Sequence, residues 1–378
     1  MHATQSLIPC TQMRGGTSKG TFFLADDLPA NDSLRDSILL AVMGGPDNLQ
    51  IDGVGGGHPL SSKVAIVSRS SRAKNDIDYL FLQISPTGGT VSTAQNCGNM
   101  LAAVGPFAIE RGLVKAADGR TTVRVHMLNS GNDCELTVET PGGRVEYEGD
   151  ARIDGVPGAA APIICDYVDL AGSICGAMLP TGNPVDVFDG IETTCIDNGM
   201  PVVAMRATDL GISGYEAPEE LDRNSALKEK LERIRLEAGP AMQLGDISDK
   251  SVPKLSLLAA AQHGGAISTR TFIPHDCHKS IGVLGAVTVA TACILPDTVA
   301  AGMAVIPDGA EKLMDIEHAA GSLRTRLVTR RTGRELSVLR AGVIRTARML
   351  FTGYVCVPRS VWDNREQIGE SEQAVAHA

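Results

Sequence analysis

Short hydrophobic segments in the first third of the chain predict β-strands. Residues 20–25 (GTFFLA), 63–68 (KVAIVS) and 78–85 (DYLFLQIS) are rich in β-branched and aromatic side chains, and Gly, Pro, Asp or Asn bound them. The pattern changes to a helical one over residues 100–114, which Asn99 opens and a glycine near its end closes. This part of the chain therefore predicts strands followed by one apolar helix.

Period-two alternation continues in the middle of the chain. Residues 121–128, 134–140 and 143–150 alternate apolar and polar side chains, which predicts half-buried antiparallel strands. After a glycine-rich connection, residues 192–211 predict a strand, a turn and a second strand. Residues 219–242 predict a single charged amphipathic helix with opposite charges four residues apart.

The last third of the chain predicts a further strand at residues 253–261 and a loop that enters a buried helix at 277–295. Two apolar segments within residues 335–358 predict a closing antiparallel pair of strands. Residues 360–378 are polar, and we expect them to fray.

The two halves of the chain repeat one order of features at low sequence identity. A glycine-rich turn and strand end at Leu28 and again at Leu210, and a strand that carries Lys63 corresponds to one that carries Lys254. In both halves a polar turn then precedes the buried helix. We therefore expect two similar α+β domains and a polar tail. The last strands can return to the first domain, and the predicted ranges are 1–184, 185–358 and 359–378.

Composition restricts the class of protein. A chain of 378 residues is long enough for two domains, and 43% hydrophobic with 21% charged residues is typical of soluble globular proteins. The formal net charge of −10 argues against nucleic-acid binding, because no basic field attracts phosphates. An anionic substrate would have to be bound by local Lys, Arg and backbone N–H groups.

Neither a membrane anchor nor a metal site is predicted. No run of about 18 apolar residues occurs, and the first residues lack a basic region followed by an apolar run. We therefore expect a cytoplasmic protein without a signal peptide. Nine cysteines are scattered with no CxxC pair and no zinc-type spacing, which predicts free thiols.

The segment MRGGTSKG (13–20) combines paired glycines with two hydroxyls and a lysine. Its flexible backbone exposes N–H groups, so together with Arg14, Ser18 and Lys19 it can cradle an anion. It lacks the GxxxxGK[ST] spacing of a Walker loop. The alternative is a plain glycine turn before a strand.

Lys63 begins an apolar strand directly after the glycine-rich stretch GVGGGHPL. A lysine that loses hydration at the end of a buried strand favours its neutral form and can act as a general base. The alternative is an exposed lysine at the edge of a sheet.

Cys97 lies in the sequence QNCGNM at the predicted start of the first buried helix, with Asn99 as the expected N-cap. The first turn of a helix has unpaired N–H groups and a partial positive charge, which can bind a substrate carboxylate and favour a thiolate. The alternative is a small buried residue in a turn.

Two further polar stretches are candidates for substrate binding. PTGNP (180–184) lies at the predicted domain junction, and STRTFIPHDCHKSIG (268–282) precedes the second buried helix. Arg270 could clamp a carboxylate with two hydrogen bonds, and His278 could bind or shuttle a proton. Single residues of these types are more often structural, and we do not expect a metal site at His275 and His278.

Together and in this order, MRGGTSKG, SSKVAIV, NCGN and TRTFIPH…HKSIGVLGAV resemble the PrpF-type isomerases of the diaminopimelate-epimerase superfamily. The resemblance covers nearly the whole chain, from about residue 9 to residue 358. It implies an α+β fold of two pseudo-symmetric domains, each a sheet wrapped around a central helix, with the active site in the cleft between them. The repeat in the two halves agrees with this fold.

The resemblance also implies which residues line the active site. Those that match the family's lysine and cysteine are Lys63 and Cys97. The epimerases of the superfamily use two cysteines, one from each half, whereas this chain has KSIG (279–282) where the second would stand. Cys277 lies nearby but out of register, so a mechanism with two thiols is not expected.

The resemblance implies a cofactor-independent isomerase that moves a proton, and with it a double bond, within an unsaturated tricarboxylate of aromatic-compound catabolism. Lys63 would remove the proton, and either Lys63 or Cys97 would return it. No cofactor is expected, because the substrate's own carbonyl serves as the electron sink.

The family suggests a homodimer, with neither nucleic acid nor membrane as a partner. The other residues expected to bind substrate are Arg14, Ser18, Lys19, Ser62, Asn96, Gly98, Asn99, Thr181, Gly182, Asn183, Ser268, Arg270, His278 and Ser280.

Three alternatives stay open at this point. A methylaconitate isomerase would use the same machinery on a related acid. A hydratase or lyase would need a metal, an iron–sulfur cluster or a second acid–base pair, and the scattered cysteines argue against a cluster. A non-catalytic polycarboxylate-binding protein would bind the acid without exchanging solvent deuterium into it.

Overall fold

The computed structural model describes residues 4–333 and 335–363. Contacts divide the chain into two compact units: residues up to Cys165 and from Arg345 onward form the first, and Asp166–Ile344 form the second. The boundary expected after residue 184 lies within the second unit, whereas the last strand residues belong to the first. Most of the expected polar tail lies outside the described residues.

The first unit contains the N-terminal elements of the chain. In order, they are β1 (Gln5–Gly15), β2 (Ser18–Leu24), α1 (Asp32–Met43), β3 (Lys63–Arg69), β4 (Ile77–Ile84), β5 (Val91–Ser92), α2 (Gly98–Glu110), β6 (Gly119–Met127), β7 (Asp133–Thr140) and β8 (Pro162–Tyr167), the last of which ends in the second unit.

The second unit contains the later elements. In order, they are β9 (Asp186–Phe188), β10 (Ile191–Asp197), β11 (Pro201–Arg206), α3 (Pro218–Arg223), α4 (Ser225–Ala241), β12 (Lys254–Ala259), β13 (Ile267–Phe272), β14 (Cys277–His278), α5 (Val283–Ile294), β15 (Glu311–His318), β16 (Gly321–Thr332) and β17 (Glu335–Pro358), the last of which ends in the first unit. No helix in the described part of the chain is long and apolar enough to cross a bilayer.

Both units use one order of strand pairing. In the first unit β1 and β2 form a hairpin, β2 runs parallel to β3, β3 pairs antiparallel with β4, β4 runs parallel to β6, and β6 pairs antiparallel with β7. The second unit repeats this order through β10, β11, β12, β13, β15 and β16. Lys63 begins β3 beside Gly20, and Lys254 begins β12 beside Val202. The sequence repeat therefore reflects one topology used twice.

Each unit packs one apolar helix against its strands. In the first unit α2 contacts β1, β2, β3, β4 and β7, and its residues from Met100 to Ala108 are buried. In the second unit α5 contacts β10, β11, β15 and β16, and its residues from Gly285 to Ile294 are buried. A helix that is apolar on all sides needs such an enclosure. The predicted α+β class with a central helix in each domain is confirmed.

Two predicted elements take another form. Residues 143–150 form no strand, because Gly142 and Gly143, at φ 63° and 74°, turn the chain away after β7. The single helix predicted over residues 219–242 is divided at Asn224. This residue leaves the helical conformation and accepts a hydrogen bond from the Leu227 N–H group as the N-cap of α4.

The predicted closing pair within residues 335–358 is wrong, because this segment forms one long strand, β17. Its first part pairs with β16 and its second part pairs with β1. Each half therefore satisfies its backbone hydrogen bonds elsewhere and has no need of the other half.

Glu317 on β15 binds a turn of the second unit to the sheet. Its carboxylate accepts hydrogen bonds from the backbone N–H groups of Gln262, His263 and Gly265 at 2.8, 2.7 and 2.9 Å. Burial by itself would raise the pKa of the Glu317 carboxyl, but these N–H groups outweigh burial and lower the pKa below its usual range.

We expect Glu317→Gln to lower the free energy of unfolding by about 1–3 kcal/mol at neutral pH, because a charged acceptor shared by several N–H groups is lost. Since the folded pKa is lowered, this contribution is present above the unfolded pKa and is lost as the pH falls through the folded pKa. Urea unfolding at about pH 7 and about pH 3 should show a difference that shrinks in acid. The exposed Glu229→Gln serves as the control, and an undiminished difference in acid would contradict the assignment.

Candidate active site

The turn between β1 and β2 packs directly on the first turn of α2. An added Cβ on Gly15 would lie 2.3 Å from the Asn99 carbonyl oxygen, and one on Gly16 would lie 2.1 Å from Asn99 Oδ1. Gly16 also has φ 51°, a conformation that other residues rarely adopt. The Asn99 side-chain amide donates to Thr17 Oγ1 at 3.0 Å. Close backbone packing therefore holds the glycine-rich turn against the helix start.

Cys97 is the N-cap of α2, and the prediction that Asn99 caps the helix is wrong. Asn99 lies inside the first turn, where its amide is engaged by Thr17. Cys97 has an extended backbone and makes no side-chain capping hydrogen bond within the described chain, which leaves the first N–H groups without a capping side chain. The Tyr79 hydroxyl donates to the Cys97 carbonyl at 3.5 Å, and the Cys97 side chain is half-buried.

Ser18 is a buried hydroxyl beside this helix start. It is 1% exposed, and its Oγ has no hydrogen-bond partner among the described residues. Ser18 is the cross-strand partner of Gly15, so both lie on the face of the hairpin that packs on α2. A buried hydroxyl without a partner is costly. Ser18 therefore has an unused hydrogen-bond donor beside the start of α2.

Lys63 projects from the first position of β3 towards the α2 side of the sheet. It is 7% exposed, and its Nζ lies 2.6 Å from Gln83 Oε1 and 5.0 Å from the centre of the Phe81 ring. Tyr79, Phe81 and Gln83 share one face of β4, because side chains alternate along a strand. Since Tyr79 reaches the Cys97 carbonyl, Lys63 and Cys97 lie on the same face of the first unit.

Arg14 and Lys19, two of the expected carboxylate ligands, are cross-strand partners that alternate to the face away from α2. Arg14 Nη1 donates to the Gly16 carbonyl and to both oxygens of Thr346. Burial, and then the charge of Arg348, lower the pKa of the Arg14 guanidinium. Arg14 and Arg348 line a separate cavity of about 610 Å³. The structure does not bring Arg14 to Lys63.

Ser62 faces the opposite side of β3 from Lys63. It is fully buried, and its hydroxyl accepts a hydrogen bond from the Gln50 side-chain amide at 2.7 Å. It therefore anchors the preceding loop. Asn96 is exposed immediately before α2, and Gly98 is the first residue of that helix. These two residues, unlike Ser62, lie where a carboxylate could meet the helix N–H groups.

The turn that contains Thr181, Gly182 and Asn183 belongs to the second unit. Two of its side chains donate hydrogen bonds to the Asp186 carboxylate, which follows the turn in the chain. Thr181 Oγ1 donates to one oxygen of Asp186 at 2.6 Å, and the Asn183 amide donates to the other at 2.8 Å. Gly182 has φ 81°. The polar groups expected to bind substrate here stabilise the turn.

Every side-chain nitrogen of Arg270, in the second unit, donates a hydrogen bond to a backbone carbonyl. Nε donates to Glu216, Nη1 to Thr269 and Nη2 to Tyr215, at 2.7, 2.9 and 2.9 Å. Burial lowers the pKa of this guanidinium. The Arg270 guanidinium therefore holds a loop of its own unit against β13. Ser268 is buried on the same strand, at 4% exposed.

His278 and Ser280 are neighbours just before α5. The Ser280 N–H group lies 3.0 Å and its Oγ 3.1 Å from His278 Nδ1, while Lys279 pairs with Glu219 at 3.1 Å. Burial, together with nearby carboxylates, raises the pKa of the Cys277 thiol to about 12. This thiol stays protonated at neutral pH, which agrees with the expectation that a two-thiol mechanism is not used.

Gln83 and Phe81 both contact Lys63, and the sequence did not identify either as a candidate. Gln83 is the direct cross-strand partner of Lys63. The alternation in DYLFLQIS contains the signal, because it places a polar residue on the face that is otherwise formed by Tyr79 and Phe81. A polar side chain on a face that packs against a buried helix needs a polar partner.

The first unit thus places a buried lysine, a thiol at a helix start, helix N–H groups and a buried hydroxyl on the face of its sheet that packs on α2. Such groups can remove a proton from an acidic carbon and stabilise the resulting anion. Among the residues that the structure describes, no group of three or more His, Cys, Asp and Glu side chains is arranged to hold a metal ion.

Known proteins resemble the chain over nearly its full length. It is 53% identical over 364 residues to the 4-oxalomesaconate tautomerase of Pseudomonas putida, covering 96% of this chain and 99% of that protein. It is 56% identical over 349 residues to the (4E)-oxalomesaconate Delta-isomerase of a Novosphingobium species, covering 92% of this chain and 97% of that protein.

One solved structure and one family model also match nearly the whole chain. The crystal structure of a methylitaconate-delta-isomerase matches with a TM-score of 0.84 and 33% identity, and the match covers 94% of this chain and 97% of that chain. Residues 5–358 match the family described as PrpF protein. This range includes the glycine-rich turn, Lys63, Cys97 and both central helices, so the chain belongs to the PrpF family.

Proposed function

We propose that this chain is a 4-oxalomesaconate tautomerase, a cofactor-independent isomerase of the 4,5-cleavage route for gallate and protocatechuate. Two relatives named for this activity share 53% and 56% of aligned residues. The structural observation that supports the proposal is Lys63, a buried lysine held by a neutral amide on the face where α2 begins.

The reaction moves one proton within the substrate. Lys63 in its neutral form removes a proton from a CH₂ group that is conjugated through a double bond to a carbonyl. The C–H bond breaks, an N–H bond forms, and the electron pair spreads into a dienolate. The proton then returns at the far end of the allylic system, from Lys63 or from Cys97. The double bond migrates, and the atoms and electrons of the substrate are conserved.

The dienolate needs donors that are already in place. The first N–H groups of α2 and the Ser18 hydroxyl would meet its oxygens or a neighbouring carboxylate. Gly15 and Gly16 hold the turn against Asn99, so these donors do not have to reorganise when charge develops. The carboxylates of an acidic substrate are thus bound by local dipoles in a chain of net negative charge.

A methylaconitate isomerase is the second candidate, since it would use the same base on a related acid. The 35% identity to the 2-methyl-aconitate isomerase of Shewanella oneidensis is well below the identity to the oxalomesaconate enzymes, which favours the first candidate.

Proton NMR in D₂O tests the proposal with purified protein and 4-oxalomesaconate in its keto form. We expect rapid double-bond migration with deuterium at a single carbon. Conversion of methylaconitate in its place would support the second candidate. A substrate that binds but stays unlabelled would contradict both and indicate a binding protein.

A further inference from the structure

Gln83 and Lys63 stand directly opposite each other on β4 and β3. Side chains of such a pair lie on one face of the sheet, and Lys63 Nζ donates to Gln83 Oε1 at 2.6 Å. Both the ammonium and the neutral amine have an N–H group to donate. The hydrogen bond can therefore orient Nζ in either protonation state.

The main chain holds the Gln83 amide in one orientation. Its Nε2 lies 2.9 Å from the carbonyl oxygen of Ser62, 3.2 Å from that of Pro59 and 3.3 Å from that of Ile84. Only the NH₂ end of the amide can meet these acceptors, so Oε1 has to face Lys63. A flipped amide would place oxygen against oxygen.

The elements around Lys63 in the first unit offer it no acidic partner. On the face of Lys63, their titratable groups are Tyr79 on β4 and Cys97 before α2, with His58 in the loop before β3 and Arg69 at the far end of β3. Asp78 on β4 and Lys19 on β2 alternate to the other face, and Asp78 pairs there with Arg72 at 3.1 Å. The first turn of α2 has no acidic residue. Within the described part of the chain, the polar contact of Lys63 Nζ is therefore the neutral oxygen of Gln83.

We propose that Gln83 is a positioning residue for the proton transfer, which aims the Lys63 amine and supplies a hydrogen-bond acceptor that carries no charge. This inference rests on the proposed function, in which Lys63 is the base. A glutamate at the same place would pair with the ammonium form and hold the proton on Lys63. The amide accepts a hydrogen bond from either form of Lys63 without this bias.

Gln83→Glu tests the charge of the acceptor. We expect the pH at which kcat is half-maximal to rise by about one to three pH units, because an adjacent opposite charge favours the charged form of a group by that much. Activity should recover at high pH. Gln5→Glu adds the same charge at the exposed start of β1 and should leave the pH profile unchanged.

Gln83→Met tests the orientation alone, since it removes the acceptor and adds no charge. We expect kcat to fall roughly 10- to 100-fold with little change in KM, because a base displaced by about 1 Å loses that much. Its pH profile should move less than that of Gln83→Glu. A purely structural role would lower thermal stability in both variants and leave both pH profiles in place.

Brief labelling with acetic anhydride over a range of pH provides a readout without substrate. Mass spectrometry measures the modified fraction of Lys63, and Gln83→Glu should shift this labelling to higher pH by the same amount as kcat. Thermal unfolding checks that each variant is folded. If Gln83→Glu does not fold, the kcat and KM of Gln83→Met decide the question.

The outcomes separate this inference from the proposed function. Wild-type labelling and activity profiles in Gln83→Glu, or a wild-type kcat in Gln83→Met, would overturn the positioning role. Full activity in Lys63→Ala would overturn the proposed function instead. In that case the labelling profile still decides whether Gln83 controls the Lys63 amine.

Discussion

Lys63→Ala should lower both kcat for isomerisation and the rate of deuterium incorporation by at least about 10²- to 10⁴-fold, the usual contribution of a general base. Alanine leaves no group that can accept the proton, and the Gln83 amide is not basic enough to replace it. Lys63→Arg should be similarly inactive, because a guanidinium keeps its proton at every working pH. Proton NMR in D₂O measures both rates in one experiment.

Lys115→Ala is the matched control, since Lys115 is an exposed lysine of the same unit. It should retain wild-type rates. Calorimetric titration with product should show that Lys63→Ala still binds, because the helix N–H groups and Ser18 are unchanged. A Lys63→Ala variant that is folded and within about tenfold of wild type would place the base elsewhere.

Gly15→Ala should damage both the fold and the site. Its Cβ would lie 2.3 Å from the Asn99 carbonyl oxygen and 3.2 Å from Ala103 Cβ, so the hairpin turn and α2 must separate. Overpacking of this kind costs about 1–3 kcal/mol of unfolding free energy. The displaced helix start should also lower kcat/KM by roughly 10²-fold. Urea unfolding and steady-state kinetics measure the two effects.

Gly353→Ala is the control for Gly15→Ala, because Gly353 lies in β17 of the same unit and an added Cβ there meets nothing within 4 Å. It should leave stability and kinetics close to those of wild type. If Gly15→Ala is as stable and active as Gly353→Ala, the close packing of the turn on α2 is not needed to place the donors.

Lys63 and Lys254 occupy equivalent positions in the two units but have different surroundings. Each lysine begins the strand that runs parallel to the preceding hairpin. Burial, and then the charge of Arg235, lower the pKa of Lys254 to about 8, whereas Lys63 has the neutral Gln83 opposite it. The repeat in the sequence identifies the equivalent positions, but the neighbours that distinguish them come from other parts of the chain.

The partners of the charged candidate residues could not be predicted from the sequence. Arg14 and Arg270 have the side chains that a polycarboxylate site requires, yet both bind backbone carbonyls of their own units. A sequence specifies that an arginine is present and not which carbonyls lie within its reach. Two of the three partners of Arg270 lie 54 and 55 residues away, at Glu216 and Tyr215, and no local pattern identifies them.

Local patterns were sufficient for the α+β class, most strands, both central helices and the order in which they repeat. These features follow from alternation, helical periodicity and glycine-rich turns, which act over a few residues. Lys63 and Cys97, the proposed base and thiol, lie at the strand start and the helix start where the sequence placed them.

Tertiary structure alone decided the N-cap at Cys97, the single strand β17, the partner of Lys63 and the direction in which Arg14 points. Each depends on which backbone and side-chain groups meet when distant segments pack. Sequence by itself therefore determined the elements and the candidate base. Only the packing of β4 against β3, and of the glycine turn against α2, determined the neighbours of that base, because hydrogen bonds form between groups that are close in space.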